Sequence, residues 1–408
     1  MLDDFIKSSN IDLKEINDKI DFIEEYNSEK VLNAFIDNGI SEVHFNSTTG
    51  YGYNDIGRDK IEDVYASIFK AEAALVRCQF ISGTHALTTC FFGLLRPGDT
   101  LLSISGKPYD TLDSVIGFND NPSSLKDYNI NYSQIDLVDN DFNYNSIRDY
   151  LSNNKVKVIE IQRSKGYSTR ESIGIDKIEK VIKLIKSIDK NIIVMIDNCY
   201  CELVSTKEPT EVGADICVGS LIKNLGGAIT SNGGYIVGKK ELVELCADRL
   251  NVPGQGREVG PSLNQNRYIL EGLYFAPMVV ANALKTAVYT AYLFEKLGYD
   301  VSPKYNDDRA DIVQNIIFNN ENDLIEYVRG IQYNSKVDSG ATIMPSEMPG
   351  YDDKIIMASG SFTEGSSIEL SCDGPLRSPY IAYQQGSISY KYGKIIVNRA
   401  IKRLIDNK

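Results

Sequence analysis

Two side chains near the middle of this chain sit where catalytic groups of α/β proteins sit. Asp197 ends the apolar run Asn191-Ile-Ile-Val-Met-Ile196. Such a run reads as a buried parallel strand, and its carboxyl end is where ligands bind in this class. A buried carboxylate there is costly without a partner. Lys223 lies in Gly219-Ser-Leu-Ile-Lys-Asn-Leu-Gly-Gly227, after the strand-like Asp215-Ile-Cys-Val218. A dry pocket at that place is expected to lower the amine pKa, as a carbonyl-condensing lysine requires. A third element is Ser82-Gly-Thr-His-Ala-Leu87, between the strand-like Gln79-Phe-Ile81 and a predicted helix Ala86–Leu95. Gly83 permits close approach, Ser82 and Thr84 bring hydroxyls, and the first helical amides are free, which together make an anion site. Ser220 can add a hydroxyl. Tyr109, in Lys107-Pro-Tyr-Asp-Thr111, can stack on a flat ring. Taken singly, these residues also read as a helix cap, a solvated lysine, a Ser/Thr cap and one of 25 tyrosines.

Their joint order is more specific: phosphate loop, aromatic, acid, lysine. Pyridoxal 5'-phosphate (PLP) needs a lysine for its aldehyde, an acid to keep its pyridine nitrogen protonated, and a phosphate cradle. Lys223, Asp197 and Ser82–Thr84 supply these, so the expectation is a PLP Schiff base on Lys223.

The elements that must hold these residues are legible in outline. Residues 1–40 carry apolar positions at three- and four-residue spacing and predict helix. Residues 41–60, polar and rich in Gly and Asn, predict a functional loop, followed by a helix Ile61–Phe69. Strands are expected at Ala74–Phe80, Thr100–Ile104, Val156–Ile161, Ile192–Ile196, Ile216–Val218 and Gly234–Val237, with helices such as Lys177–Ser187 between most of them. That alternation predicts a mostly parallel α/β sheet covered on both faces. A long helix is expected over 267–297. Strands Ile355–Ala358 and Ser367–Leu370 and a helix Ile395–Ile405 would form a C-terminal α+β cap. The expected division is 1–60 helical segment and loop, 61–290 cofactor domain, 291–408 small domain.

The net charge of −13 over 408 residues disfavours nucleic acid as a partner. It also means that an anionic cofactor needs a local positive pocket. Seven cysteines in mostly apolar runs read as reduced, buried thiols of a cytoplasmic protein, and Cys199-Tyr-Cys201 is too tight for a zinc ribbon, so no metal site is expected. The acidic N-terminus is unlike a secretory signal, and no apolar run reaches the ~18 residues of a membrane span.

On these residues the chain resembles PLP enzymes of fold type I, the aspartate aminotransferase-like fold, in the cystathionine/methionine-lyase branch. It is most similar there to the methionine gamma-lyase-related, or aluminium-resistance protein, family. The resemblance rests on Ser82-Gly-Thr-His-Ala-Leu87, Pro108-Tyr-Asp-Thr111, Ile196-Asp-Asn-Cys-Tyr200, Gly219–Gly227 and Gly50-Tyr-Gly-Tyr-Asn-Asp-Ile-Gly-Arg-Asp59. It implies a seven-stranded sheet, with Lys223 as the cofactor lysine and proton shuttle and Asp197 on the pyridinium. It implies Gly83, Thr84 and Ser220 on the phosphate, and Tyr109 stacking. It further implies that Tyr51 or Tyr53 and Arg58 reach a neighbouring subunit's site in a homodimer or homotetramer. Arg377, in Asp373-Gly-Pro-Leu-Arg377, would hold the substrate carboxylate. Gln162-Arg-Ser-Lys-Gly-Tyr167 replaces the branch's Asn-Pro segment, and Arg163 or Lys165 is expected to contact substrate or cofactor.

The expected reaction is elimination from a sulfur-containing amino acid of the cystathionine beta-lyase or methionine gamma-lyase kind. The alternatives are transamination, carbon–carbon cleavage, or a weakly catalytic PLP-binding protein linked to metal tolerance. A nucleotide-binding Rossmann enzyme is disfavoured, since no Gly-x-Gly-x-x-Gly follows the first sheet strand.

Overall fold

The computed structural model describes residues 2–407; residues 1 and 408, the outer ends of the expected division, lie outside them. The apolar runs form seven strands: β1 (Ala73–Arg77), β2 (Thr100–Ser103), β3 (Asn131–Gln134), β4 (Val158–Gln162), β5 (Ile193–Asp197), β6 (Ile216–Ser220) and β7 (Gly234–Gly238). Their spatial order is β1-β7-β6-β5-β4-β2-β3. Only β7 is reversed, pairing antiparallel with both β1 and β6. Alternate residues feed two cores, one on each face. Val76, Ile159, Ile161 and Ile196 belong to one, and Leu75, Val158, Met195 and Val218 to the other. The helices supply matching stripes. In Ile175–Ile188 the buried residues are Ile178, Val181, Ile182 and Ile185, the spacing of one helical face.

A second sheet is antiparallel and follows in sequence: β8 (Asp300–Ser302), β9 (Val313–Ile317), β10 (Ile355–Ala358), β11 (Ser371–Pro375) and β12 (Ile381–Gln385), ordered β10-β11-β12-β9-β8. The helix Asn266–Lys296 packs on the turn after Lys223 and on β8 and β9, so it ties the two sheets together. Its approach to the lysine turn depends on glycines. A Cβ on Gly227, which has φ +53°, would lie 2.1 Å from the Gly272 carbonyl oxygen. Any side chain there would push the lysine turn off the helix.

Several elements differ from expectation. The helix expected at Ile61 begins at Ile56, because the Asp55 carboxylate caps it by accepting the Arg58 amide at 2.9 Å. The segment Ser367–Leu370 is not a strand. Ser367–Glu369 is a turn of 3-10 helix, and β11 starts at Ser371. There the Glu369 carboxylate draws the chain inward by accepting the amides of Phe362 and Thr363 and pairing with Lys336 at 2.7 Å. Strand β3 was not expected because it is a short, polar edge strand with little apolar signal.

One buried ion cluster anchors β1 to its surroundings. Glu62 accepts Arg77 Nε at 2.8 Å, Arg257 Nη2 at 2.8 Å and the Val76 amide at 3.1 Å. Glu62 and Arg77 are each about 1% exposed at the side chain. Glu62→Gln leaves a buried guanidinium without its counter-charge, so chemical denaturation is expected to read a loss of roughly 3–5 kcal/mol.

Candidate active site

The carboxyl ends of β4, β5 and β6 deliver Gln162, Asp197 and Ser220 to one cavity of about 250 Å³ between the two sheets. Lys223, three residues past β6, lines the same cavity, as do Ser82, Gly83, Thr84 and Tyr109. From the other side come Met357 of β10, Ser371 and Asp373 of β11, and Gln385 of β12.

The helix Gly83–Leu94 points its amino end into this cavity. Ser82 is its N-cap, accepting the His85 amide at 3.1 Å. The amides of Gly83 and Thr84 have no acceptor further back in the helix and so are available to an anion. Thr84 and Thr111 share a hydroxyl hydrogen bond of 2.7 Å. A Cβ on Gly83 would press on Cys199 Sγ at 3.3 Å and on Ser220 Cβ at 3.4 Å, so glycine keeps this amide surface open.

Asp197 is 5% exposed and accepts the Cys199 amide at 3.1 Å. Burial raises its pKa, opposed by that hydrogen bond and by the charge of Lys223. The Lys223 amine lies 3.6 Å from the centre of the Tyr200 ring. The expected lowering of its pKa does not hold. Burial pushes it down, but Tyr200, Cys199 and Asp197 together outweigh burial and raise it. Lys223 therefore rests as an ammonium among groups that favour its proton.

The Tyr109 hydroxyl meets that of Tyr351 at 2.5 Å. Burial raises the Tyr109 pKa, so it stays a neutral phenol with an aromatic face at the cavity.

Other sequence candidates lie outside the cavity lining. Arg377 is half-exposed, pairs with Asp353 at 2.9 Å and donates to the Tyr167 carbonyl at 3.1 Å; it lines a neighbouring hollow together with Lys165. Arg163 is 1% exposed and donates to Asn198 Oδ1 at 2.6 Å. Lys165 donates to the Ser302 carbonyl, and burial lowers its pKa to about 8. Arg58 is buried and spends its guanidinium on the carbonyls of Gly52 and Gly260 and on Asp59. Tyr51 and Tyr53 are exposed, with ring centres 5.6 Å apart.

Sequence reasoning missed Tyr200, Tyr167, Tyr351, Asp373 and Gln385 as cavity residues. Tyr200 and Asp373 stand inside motifs already singled out, three residues from Asp197 and four from Arg377 respectively. Tyr167 ends the departing segment Gln162–Tyr167, but nothing local marks Tyr351 or Gln385. Among the described residues no group of three or more His, Cys, Asp or Glu is placed to hold a metal ion. All seven cysteines are free and six are buried.

Glu160, two residues before the end of β4, is fully buried beside the site. The Ser103 hydroxyl shares its proton between the Gly106 carbonyl at 2.6 Å and Glu160 Oε2 at 2.9 Å. Burial and then the Asp197 charge raise the Glu160 pKa to about 8, against Ser103 and Arg170; Tyr132 also faces this group. A carboxyl whose folded pKa exceeds its ordinary 4.5 stabilises fully below that value, and the contribution is lost as pH rises through about 8. Unfolding free energy measured by urea titration is expected to fall across that window, and Glu160→Gln to flatten the fall.

The methionine gamma-lyase family model matches residues 2–405. The chain belongs to this family. It is 46% identical over 400 residues to the uncharacterized protein YnbB of Bacillus subtilis strain 168, covering 97% of this chain and 95% of that one. Among solved structures, a carbon-sulfur lyase involved in aluminum resistance from Clostridium novyi NT is 44% identical, with a TM-score of 0.95 over 99% of this chain and 96% of that one. The pyridoxal-5'-phosphate dependent protein YhfS from Escherichia coli, 16% identical, has a TM-score of 0.64 over 95% and 97% of the two chains. The last likeness is one of fold alone. The architecture is the mostly parallel α/β sheet of PLP-dependent fold type I enzymes.

Proposed function

We infer that this member of the methionine gamma-lyase family is a PLP-dependent carbon–sulfur lyase acting on a sulfur-containing amino acid. The observation that carries this reading is that one cavity gathers a lysine, a buried carboxylate and a helix amino end with an open glycine. The donor set fits PLP: amides of Gly83 and Thr84 with the hydroxyls of Ser82, Thr84 and Ser220 for the phosphate, Asp197 for the pyridine nitrogen, Tyr109 for the ring face, and Lys223 for the aldehyde. When bound, PLP condenses with amines and withdraws electron density from the substrate α-carbon.

The chain's own groups do the rest. Asp197 would accept the ring N–H and, being buried, hold that proton in place. Lys223 Nζ would take the substrate α-proton and return protons to the departing atoms. Tyr200, against that amine, favours its protonated form. The tyrosines lining the cavity, Tyr109, Tyr167, Tyr200 and Tyr351, take up space that water would fill. Overall, substrate and one water give a thiol, a keto acid and ammonium.

The reading extends to an assembly in which the exposed Tyr51 and Tyr53 meet a second copy, and to the cytoplasm, which free thiols favour. No described helix is long and apolar enough to cross a membrane. The test is a spectral and product assay of purified protein against sulfur amino acids. Joint release of thiol and keto acid is expected. Amino-group transfer without thiol would replace elimination with transamination.

A further inference from the structure

The cavity holds more negative charge than the proposed chemistry uses. Among the described residues lining it, Lys223 is the one cation, and Asp197 and Asp373 are the two anions. Elsewhere in the chain Glu62 has two arginines, Asp215 has Lys186 and Lys239, and Glu211 has Lys30 and Lys70, whereas the buried Glu160 and Glu202 have neutral hydrogen-bond partners but lie outside the cavity lining. Asp373 is 7% exposed and has only neutral hydrogen-bond partners. The Gln385 amide donates to Oδ1 at 2.6 Å, and the Tyr167 hydroxyl donates to Oδ2. Burial raises its pKa, with these two bonds and then the charge of Lys223 opposing. Burying a carboxylate without a counter-charge is costly, and a cation supplied by a ligand would offset that cost.

Asp197 has such a cation in the proposed pyridinium. Asp373 has no basic hydrogen-bond partner, and its surroundings suit a cation. The Tyr167 ring centre lies 5.6 Å from that of Tyr351, 6.2 Å from Tyr109 and 5.0 Å from Tyr383. Aromatic faces grouped beside a carboxylate attract ammonium groups through both ring quadrupole and charge.

Building on the lyase reading, we propose that Asp373, flanked by Tyr167 and Tyr351, binds a positively charged group on the substrate side chain. The preferred substrate is then a sulfur amino acid whose sulfur substituent ends in an ammonium. Binding places that ammonium on the second-sheet wall of the cavity, opposite the lysine and the phosphate cradle.

The test uses two pairs that differ only by ammonium against methyl. Lysine and 2-aminoheptanoic acid have no sulfur to eliminate, so calorimetry on the cofactor-loaded chain reads their binding directly. S-(2-aminoethyl)cysteine and S-propylcysteine give the same comparison in turnover. The ammonium member is expected to be favoured about tenfold or more in both pairs. Asp373→Asn is expected to bring the ratio near one, and Tyr351→Leu to reduce it. Equal binding of lysine and 2-aminoheptanoic acid by the unmutated chain would overturn the proposal, as would a ratio that survives Asp373→Asn. The two readings fail separately. A chain that prefers ammonium but releases no thiol keeps the cation site and loses the lyase reaction. A chain that cleaves both cysteine derivatives equally keeps the lyase and loses the cation site.

Discussion

Lys223→Ala is expected to abolish the absorbance near ~420 nm that marks covalently held PLP and to lower turnover by ~10³-fold or more. The size follows from two losses at one atom. On the proposed reading Nζ is both the attachment point for the cofactor aldehyde and the base for the substrate α-proton. Removing it takes away positioning and proton transfer together, and effects of groups that act as a unit are large. The backbone of this turn does not rest on the side chain. It is held by the glycine contact with Gly272 and by the Asn224 amide, which donates to the Glu202 carbonyl at 2.8 Å. Removing the amine leaves Asp197 without the cation that lines its cavity, so the unfolding midpoint is expected to fall while the circular-dichroism spectrum is kept. Loss of the band with an unchanged circular-dichroism spectrum separates a chemical role from an unfolded chain.

Asp197→Ala is the second large effect. The carboxylate lines the same cavity as Lys223, where on the proposed reading it would meet a protonated ring nitrogen, and burial makes its charge count more than it would in water. Without it the ring loses its proton and most of its pull on the α-carbon. Removing one such preorganised group costs about 10²–10³ in kcat. The cofactor link at Lys223 does not depend on Asp197, so the absorbance band should persist with altered position. A fall in kcat with little change in KM marks an interaction made in the transition state. Asp197→Glu should recover part of the activity, because the charge remains and only its reach changes.

The parts of this site that are legible in the sequence share one property. Asp197, Ser220 and Lys223 follow buried strands at once, and Ser82–Thr84 opens a helix, so local pattern places them. The sheet is legible for the same reason, since parallel strands buried on both faces are continuous apolar runs. The rest depends on chain contacts across long separations. Asp373 reaches the cavity only because β11 pairs with β12 and β12 with β9, strands rich in Gln and Asn that carry weak strand signals. Tyr351 arrives on an irregular segment whose path no periodicity announces. Arg58 and Arg163 look available in sequence because their hydrogen-bond partners, Gly260 and Asn198, lie far along the chain. The Lys223 amine departs from simple desolvation because Tyr200, three residues after Asp197, takes a left-handed backbone conformation at φ +72° with its ring against the amine.

The most direct measurement is borohydride reduction of the purified protein loaded with PLP, followed by digestion and mass spectrometry of the lysine-containing peptides. The peptide carrying Lys223 should bear the mass of one reduced pyridoxal phosphate, and no other lysine should carry it in stoichiometric amount. Modification at a different lysine, or a protein that takes up no reducible cofactor, would contradict the account.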